Sequence, residues 1–168
     1  MSLPVSLQHV IDEMDMQNDM MHAYISPETG ETFMFTDEDD VLSMRIESNG
    51  VEEVKKELPD WQQERLPYIE KILKGEEFIN LPSQFDIHEY SIMKDFCYTV
   101  EGEEVKEDLL RGIDGRGAFR MFKDLILRHG IRDDWFAFKN QALKKIAVRF
   151  LEHHEIPYED DSSSNSRA

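Results

Sequence analysis

The twelve residues GRGAFRMFKDLI, 115–126, set Arg116, Arg120 and Lys123 beside Gly115 and Gly117 in a chain of formal net charge −17. Glycine lets another group approach the backbone, and the first N–H groups of a helix lack intrahelical partners and attract anions. On a helix, spacings of four and three carry Arg116, Arg120 and Lys123 along one face, away from Phe119 and Phe122. Such a row of cations can hold phosphate, a nucleic-acid backbone or the carboxylates of a protein surface. It can equally close on the chain's own acids, with the glycines serving only a tight turn. The glycine spacing is not the Gly-x-x-x-x-Gly-Lys-Ser/Thr of a nucleotide-binding loop.

The other reactive residue types are poorly placed for chemistry. Six histidines (His9, His22, His88, His129, His153, His154) contain no His-x-x-x-His pair, and there is no Cys-x-x-Cys, so no metal site is expected. Cys97 lies in an apolar helical line beside Phe96 and reads as a buried structural thiol. It is the only cysteine, so no internal disulfide can form. The acidic run at 37–40 lacks EF-hand spacing and reads as a helix cap. An enzymatic reading would have to draw an acid or base from His88, Glu89 and Asp95. Glu89, however, stands at a capping-box distance from Asp86. The balance is against an enzyme, and no cofactor is expected.

Charge is segregated along the chain. Residues 111–149 hold ten Lys/Arg and four Asp/Glu, a local balance of +6, which leaves −23 for the rest. A pI near 4.6 argues against non-specific binding of the whole chain to nucleic acid or anionic membranes. No run approaches the roughly 18 to 20 apolar residues of a membrane span, and the opening residues do not form a signal peptide. A cytoplasmic protein with no membrane partner is expected.

The elements that must position the cationic face follow from periodicity. Ser6 caps a first helix with Leu7, Val10, Ile11 and Met14 on one side. Two alternating runs, 21–26 and 31–36, flank Pro27-Glu28-Thr29-Gly30 and predict a β-hairpin over about 20–36. A short helix begins after 37–40 and is broken by Asn49-Gly50. A helix over 61–74, with Trp61 and Leu66 on its apolar side, is closed by Gly75. An extended segment at 78–82 precedes a helix over 86–100, and a shorter one covers 103–110. Helices over 115–128 and 133–153 follow. The first has Phe119, Phe122 and Ile126 as its apolar line; the second has Trp135, Phe138, Ala142, Ile146 and Phe150. The expected fold is α+β: one N-terminal hairpin and about six helices, mostly α in the C-terminal two-thirds. One globular domain is expected over 1–158, with 159–168 a disordered acidic, serine-rich tail.

The runs LPSQFDIHEYSIMKDFC, GRGAFRMFKDLI, DDWFAFKNQAL and AVRFLEHHEIPY, in that order, resemble uncharacterised protein family 0158 of bacteria. The likeness is clearest over 81–158. Its specific part is Gly-Arg-Gly-Ala-Phe-Arg-x-Phe-Lys-Asp followed by Trp-x-x-Phe. It implies a small cytoplasmic bacterial protein with no established activity, cofactor or catalytic residue. It carries no role onto Arg116, Arg120, Lys123 or Trp135.

These readings point to a non-enzymatic interaction module. Its partner is expected to be a protein, a second copy of the chain included, bound through Arg116, Arg120, Lys123 and the exposed parts of Trp135 and Phe136. The alternative is phosphate, nucleotide or nucleic acid held at the start of the 115–128 helix, with Gly115 and Gly117 admitting the anion.

Overall fold

A computed structural model describes residues 3–162. The chain runs through β1 (Val5–Ser6), α1 (Leu7–Met16), β2 (Met21–Ile25), β3 (Thr32–Thr36), α2 (Asp37–Asn49) and α3 (Val51–Lys56). It continues through α4 (Asp60–Gln63), α5 (Leu66–Lys74), β4 (Ile79–Asn80), α6 (Gln84–Ile87) and α7 (Glu89–Thr99). It finishes with α8 (Glu103–Gly112), α9 (Ala118–Arg128), α10 (Arg132–His153) and β5 (Tyr158–Glu159). The fold is α+β, with its longest helix, α10, in the C-terminal part.

Local chemistry sets most of the boundaries. The Ser6 side chain accepts from the His9 N–H and starts α1, whose Leu7, Val10, Ile11 and Met14 are buried as expected. Thr36 and Asp39 form a capping box that starts α2. Gly50, at φ 86°, ends α2 and lets α3 begin at once. Gly75 closes α5 in the left-handed region at φ 70°.

Several expected elements divide. The helix predicted over 61–74 is two, because Pro67 in the first turn of α5 has no N–H to donate and its ring crowds the preceding turn. Trp61 is thereby left at the corner, 63% exposed instead of in the core. The capping box expected at Asp86 and Glu89 lies one turn earlier, between Ser83 and Asp86. His88 then turns left-handed, at φ 54°, and separates α6 from α7.

The hairpin forms as expected, with Met21 opposite Thr36 and Ile25 opposite Thr32. β4 adds antiparallel to β2, giving a three-stranded sheet in the order β3-β2-β4. The extended segment at 78–82 is therefore a strand in part. A second, two-residue pairing joins β1 and β5 in parallel, Val5 opposite Tyr158. Residues 159–162 belong to the folded body, contrary to expectation. Glu159 pairs with Ser6, Asp160 meets Lys144 at 3.0 Å, and Asp161 accepts from the Ser6 hydroxyl at 2.6 Å and the Gln8 N–H at 2.9 Å. The remainder of the expected tail, 163–168, lies outside the described residues.

The core has two parts. The larger gathers α1, β2 and α7 to α10 around Phe96, Phe122, Trp135, Leu143 and Leu151. Along α10 the fully buried line is Trp135, Leu143, Ala147 and Leu151, while Phe138, Ala142, Ile146 and Phe150 only flank it. The smaller core packs Phe33, Leu42, Val54, Leu66, Ile69 and Phe78 beneath β3, α2, α3 and α5.

Candidate interaction surface

The approach to α9 is a turn built on glycine. Gly115 and Gly117 sit at φ 101° and 73°, a region side-chain-bearing residues rarely adopt, and a Cβ on either would meet nothing within 4 Å. Backbone conformation, not close packing, therefore requires them. The Tyr90 hydroxyl pins the turn by donating to the Ile113 carbonyl at 2.8 Å. Gly112 is different: a Cβ there would lie 2.5 Å from Leu125 Cδ1 and 2.9 Å from Met121 Cγ, so the end of α8 touches α9 directly.

From this turn α9 buries Ala118, Phe122, Leu125 and Ile126. Phe122 and Trp135 meet edge-on at 4.8 Å, and Phe96 completes the cluster at 5.4 Å from Trp135. Trp135 is only 3% exposed, so it is a core residue and not a contact residue, correcting the sequence expectation. It shares the buried side of α10 with Leu143, Ala147 and Leu151. The neighbouring Phe136 is the exposed aromatic, with the Arg132 guanidinium 4.9 Å over its ring.

The helix expected over 115–128 begins only at Ala118, because Gly115 and Gly117 turn left-handed, so Arg116 lies in the turn before α9 while Arg120 and Lys123 stand on its outer face. Arg116, Arg120 and Lys123 are exposed, and no ion pair joins any of them to another described residue. They do not stand apart from all aromatic groups. Phe119, expected in the core, is 47% exposed, and Leu127 is 61% exposed on the same outward side. One turn apart, Phe119, Lys123 and Leu127 form a stripe with Arg120 beside it. The surface is cationic and apolar together.

Other cations of residues 111–149 do close on the chain's own acids. Lys139 reaches Asp15 at 2.8 Å and Glu89 at 3.2 Å, bridging α10 to α1 and α7. Burial disfavours its charge, but the two carboxylates prevail and raise its pKa. Lys144 holds Asp160, and Arg111 pairs with Asp108. Internal pairing thus engages Arg111, Lys139 and Lys144, while Arg128, Arg132, Lys145 and Arg149 are exposed with no ion pair among the described residues, as are the cations at α9.

The residues proposed for acid–base chemistry are not brought together as a site. Glu89 is held by Lys139 beside a recess of about 20 Å³, room for roughly one water. His88 is an exposed linker residue between helices. Burial pushes the Cys97 thiol up to about 11, which keeps it protonated and unreactive near neutrality. Among the described residues no group of three or more His, Cys, Asp or Glu is placed to hold a metal ion. No helix among them is long and apolar enough to cross a membrane.

Sequence reasoning missed a second surface. A cleft of about 790 Å³ lies between β3, the start of α2 and the α4–α5 corner. Its floor is a stack: Arg65 lies 4.4 Å over Phe33, and Tyr68 packs parallel to Phe33 at 5.0 Å. Arg65 donates from Nε to Asp39 at 2.9 Å and from Nη2 to the Met34 carbonyl at 2.8 Å. Asp39 is buried and also accepts from the Thr36 N–H and hydroxyl, so its charge is fully engaged. The signal available in the sequence was Pro67, which breaks the helix and turns Trp61 out.

The family model described as Uncharacterised protein family (UPF0158) matches residues 2–165. The chain belongs to that family. No curated protein and no solved structure matches it. Membership in UPF0158 covers both the α9 surface and the cleft and assigns a role to neither.

Proposed function

We infer that this UPF0158 member is a non-enzymatic interaction module that recognises an acidic protein surface through α9. The observation carrying this reading is the exposed, unpaired Arg120 and Lys123 on α9 and Arg116 in the turn before it, beside exposed Phe119 and Leu127. Cations alone would be a solvated face, and isolated exposed pairs contribute only about 0–1 kcal/mol. Apolar side chains set among them add area that gains by leaving water, and aromatic and arginine residues are the usual anchors of protein interfaces. The complementary partner presents carboxylates around an apolar patch.

The test is affinity capture from lysate of cells that carry the protein, with wild type beside an Arg116→Glu/Arg120→Glu variant of unchanged melting temperature. A protein partner retained by wild type and lost by the variant is expected. Nuclease treatment separates the alternative, since loss of the captured material on digestion would identify nucleic acid as the ligand. Identical capture by both proteins would remove α9 from the function.

A further inference from the structure

We propose that the cleft beneath β3 is a second docking site, distinct from α9, that takes a basic amphipathic segment of a partner protein. Its walls are apolar and open. Met20 and Trp61, each 63% exposed, line it together with Met34 and the Arg65–Phe33–Tyr68 stack. Tryptophan buries a large area on binding and dominates many interfaces, so one turned to solvent at a cleft mouth is a ready anchor.

Charge commits the occupant. Asp37, Glu38 and Glu64 line the same cleft, and none of them has an ion pair among the described residues. The one cation in the lining, Arg65, is spent on Asp39, Met34 and Phe33. An acidic or phosphate-bearing ligand would meet uncompensated carboxylates, whereas lysine or arginine would find partners. The net charge of −17 also steers a basic segment towards the molecule. A second copy, which carries the same net charge, is repelled at long range.

Recognition must come from side chains. β3 is an edge strand, and edge strands often add an extra strand from a partner. Ala23 turns its N–H to Gln17 and its carbonyl to Leu81, away from β3, so its partner Met34 faces its backbone outward. That outward carbonyl is taken by Arg65, and the Thr36 N–H is taken by Asp39. These two contacts interrupt the ladder an added strand would need at Met34 and Thr36, which leaves the apolar walls and acidic rim as the main means of recognition. An occupant with leucine-like residues on one side and lysines on the other satisfies both.

The experiment uses a fluorescently labelled amphipathic peptide of leucine and lysine, titrated with the full chain and followed by anisotropy. Emission of Trp61 locates the site, since Trp135 is buried and Trp61→Phe removes the cleft signal. Saturable binding with a blue shift of Trp61 is expected. Glu38→Lys/Glu64→Lys and, separately, Trp61→Ala should each weaken it about tenfold or more. Arg116→Glu/Arg120→Glu should leave it unchanged, which keeps this result separate from that for α9. All of these positions are exposed, and melting curves verify folding. Equal binding of a serine/lysine peptide would overturn the proposal by showing adsorption through charge alone. So would the absence of binding, or concentration-dependent self-association that the cleft variants abolish, which would make a second copy the occupant.

Discussion

Arg65 does two jobs with one side chain: it neutralises Asp39 and it floors the cleft. Removing it leaves a carboxylate with no counter-charge at a position almost fully shielded from water. Breaking a buried pair from one side costs about 3–5 kcal/mol. A third of the Arg65 side chain is exposed, so Arg65→Ala is expected at or below the lower end, about 2–3 kcal/mol. Urea denaturation measures this directly. Asp39→Asn, which keeps an acceptor for the Thr36 N–H and removes the buried charge, should cost less than Arg65→Ala. The reverse order would mean that the charge itself, and not its compensation, stabilises this corner.

At the level of elements, the α8–α9 contact depends on Gly112. An added methyl would overlap the side chains of Leu125, which is buried, and of Met121, which is 48% exposed. Overpacking costs about 1–3 kcal/mol, whereas alanine gains roughly 0.5–1 kcal/mol over glycine in a helix. Gly112→Ala is therefore expected to lose up to about 2 kcal/mol net, seen as a lower urea midpoint, and to shift α9 with its cations. The hairpin, α1 and the burial of Phe122 and Ile126 on α9 could be read from the sequence because each follows from a local rule: turn chemistry, a serine cap, a helical period. The division at α4–α5 was equally local, since Pro67 forbids a continuous helix, but the apolar pattern around it masked the break. The exposure of Phe119 and the burial of Trp135 were not local. Both residues lie on apolar helical lines, and only the packing of α9 on α10 decides which aromatic faces inward. The cleft assembles residues from Met20 to Tyr68 through the pairing of Asp39 with Arg65, twenty-six positions apart, and no spacing rule reports it.

For the whole molecule, acid should act where the ends of the folded body meet. The Ser6 hydroxyl and the Gln8 N–H hold the Asp161 carboxyl below its ordinary value of 3.8. A carboxylate with a depressed folded pKa contributes stability above its unfolded value and loses it as pH falls through the folded one. The β1–β5 junction should therefore be intact at neutral pH and loosen below about pH 4, near and below the isoelectric point of about 4.6. Hydrogen exchange at the Gln8 amide should accelerate there ahead of global unfolding. Asp161→Asn should show the faster exchange already at neutral pH and a flatter acid response. An unchanged Gln8 amide in that variant would mean the junction is held by strand pairing alone.

That junction has a topological consequence. Val5 and Tyr158 sit side by side, so everything between them is in effect a ring closed by a two-residue clasp. Closing so long a loop costs little more than closing one half its length, because the entropic penalty grows only with the logarithm of length. A clasp of a few hydrogen bonds can thus suffice. Segments joined to either end leave from one spot, and the rest of the circumference, with α9 and the cleft on it, can be cut and rejoined elsewhere without disturbing the order of packing.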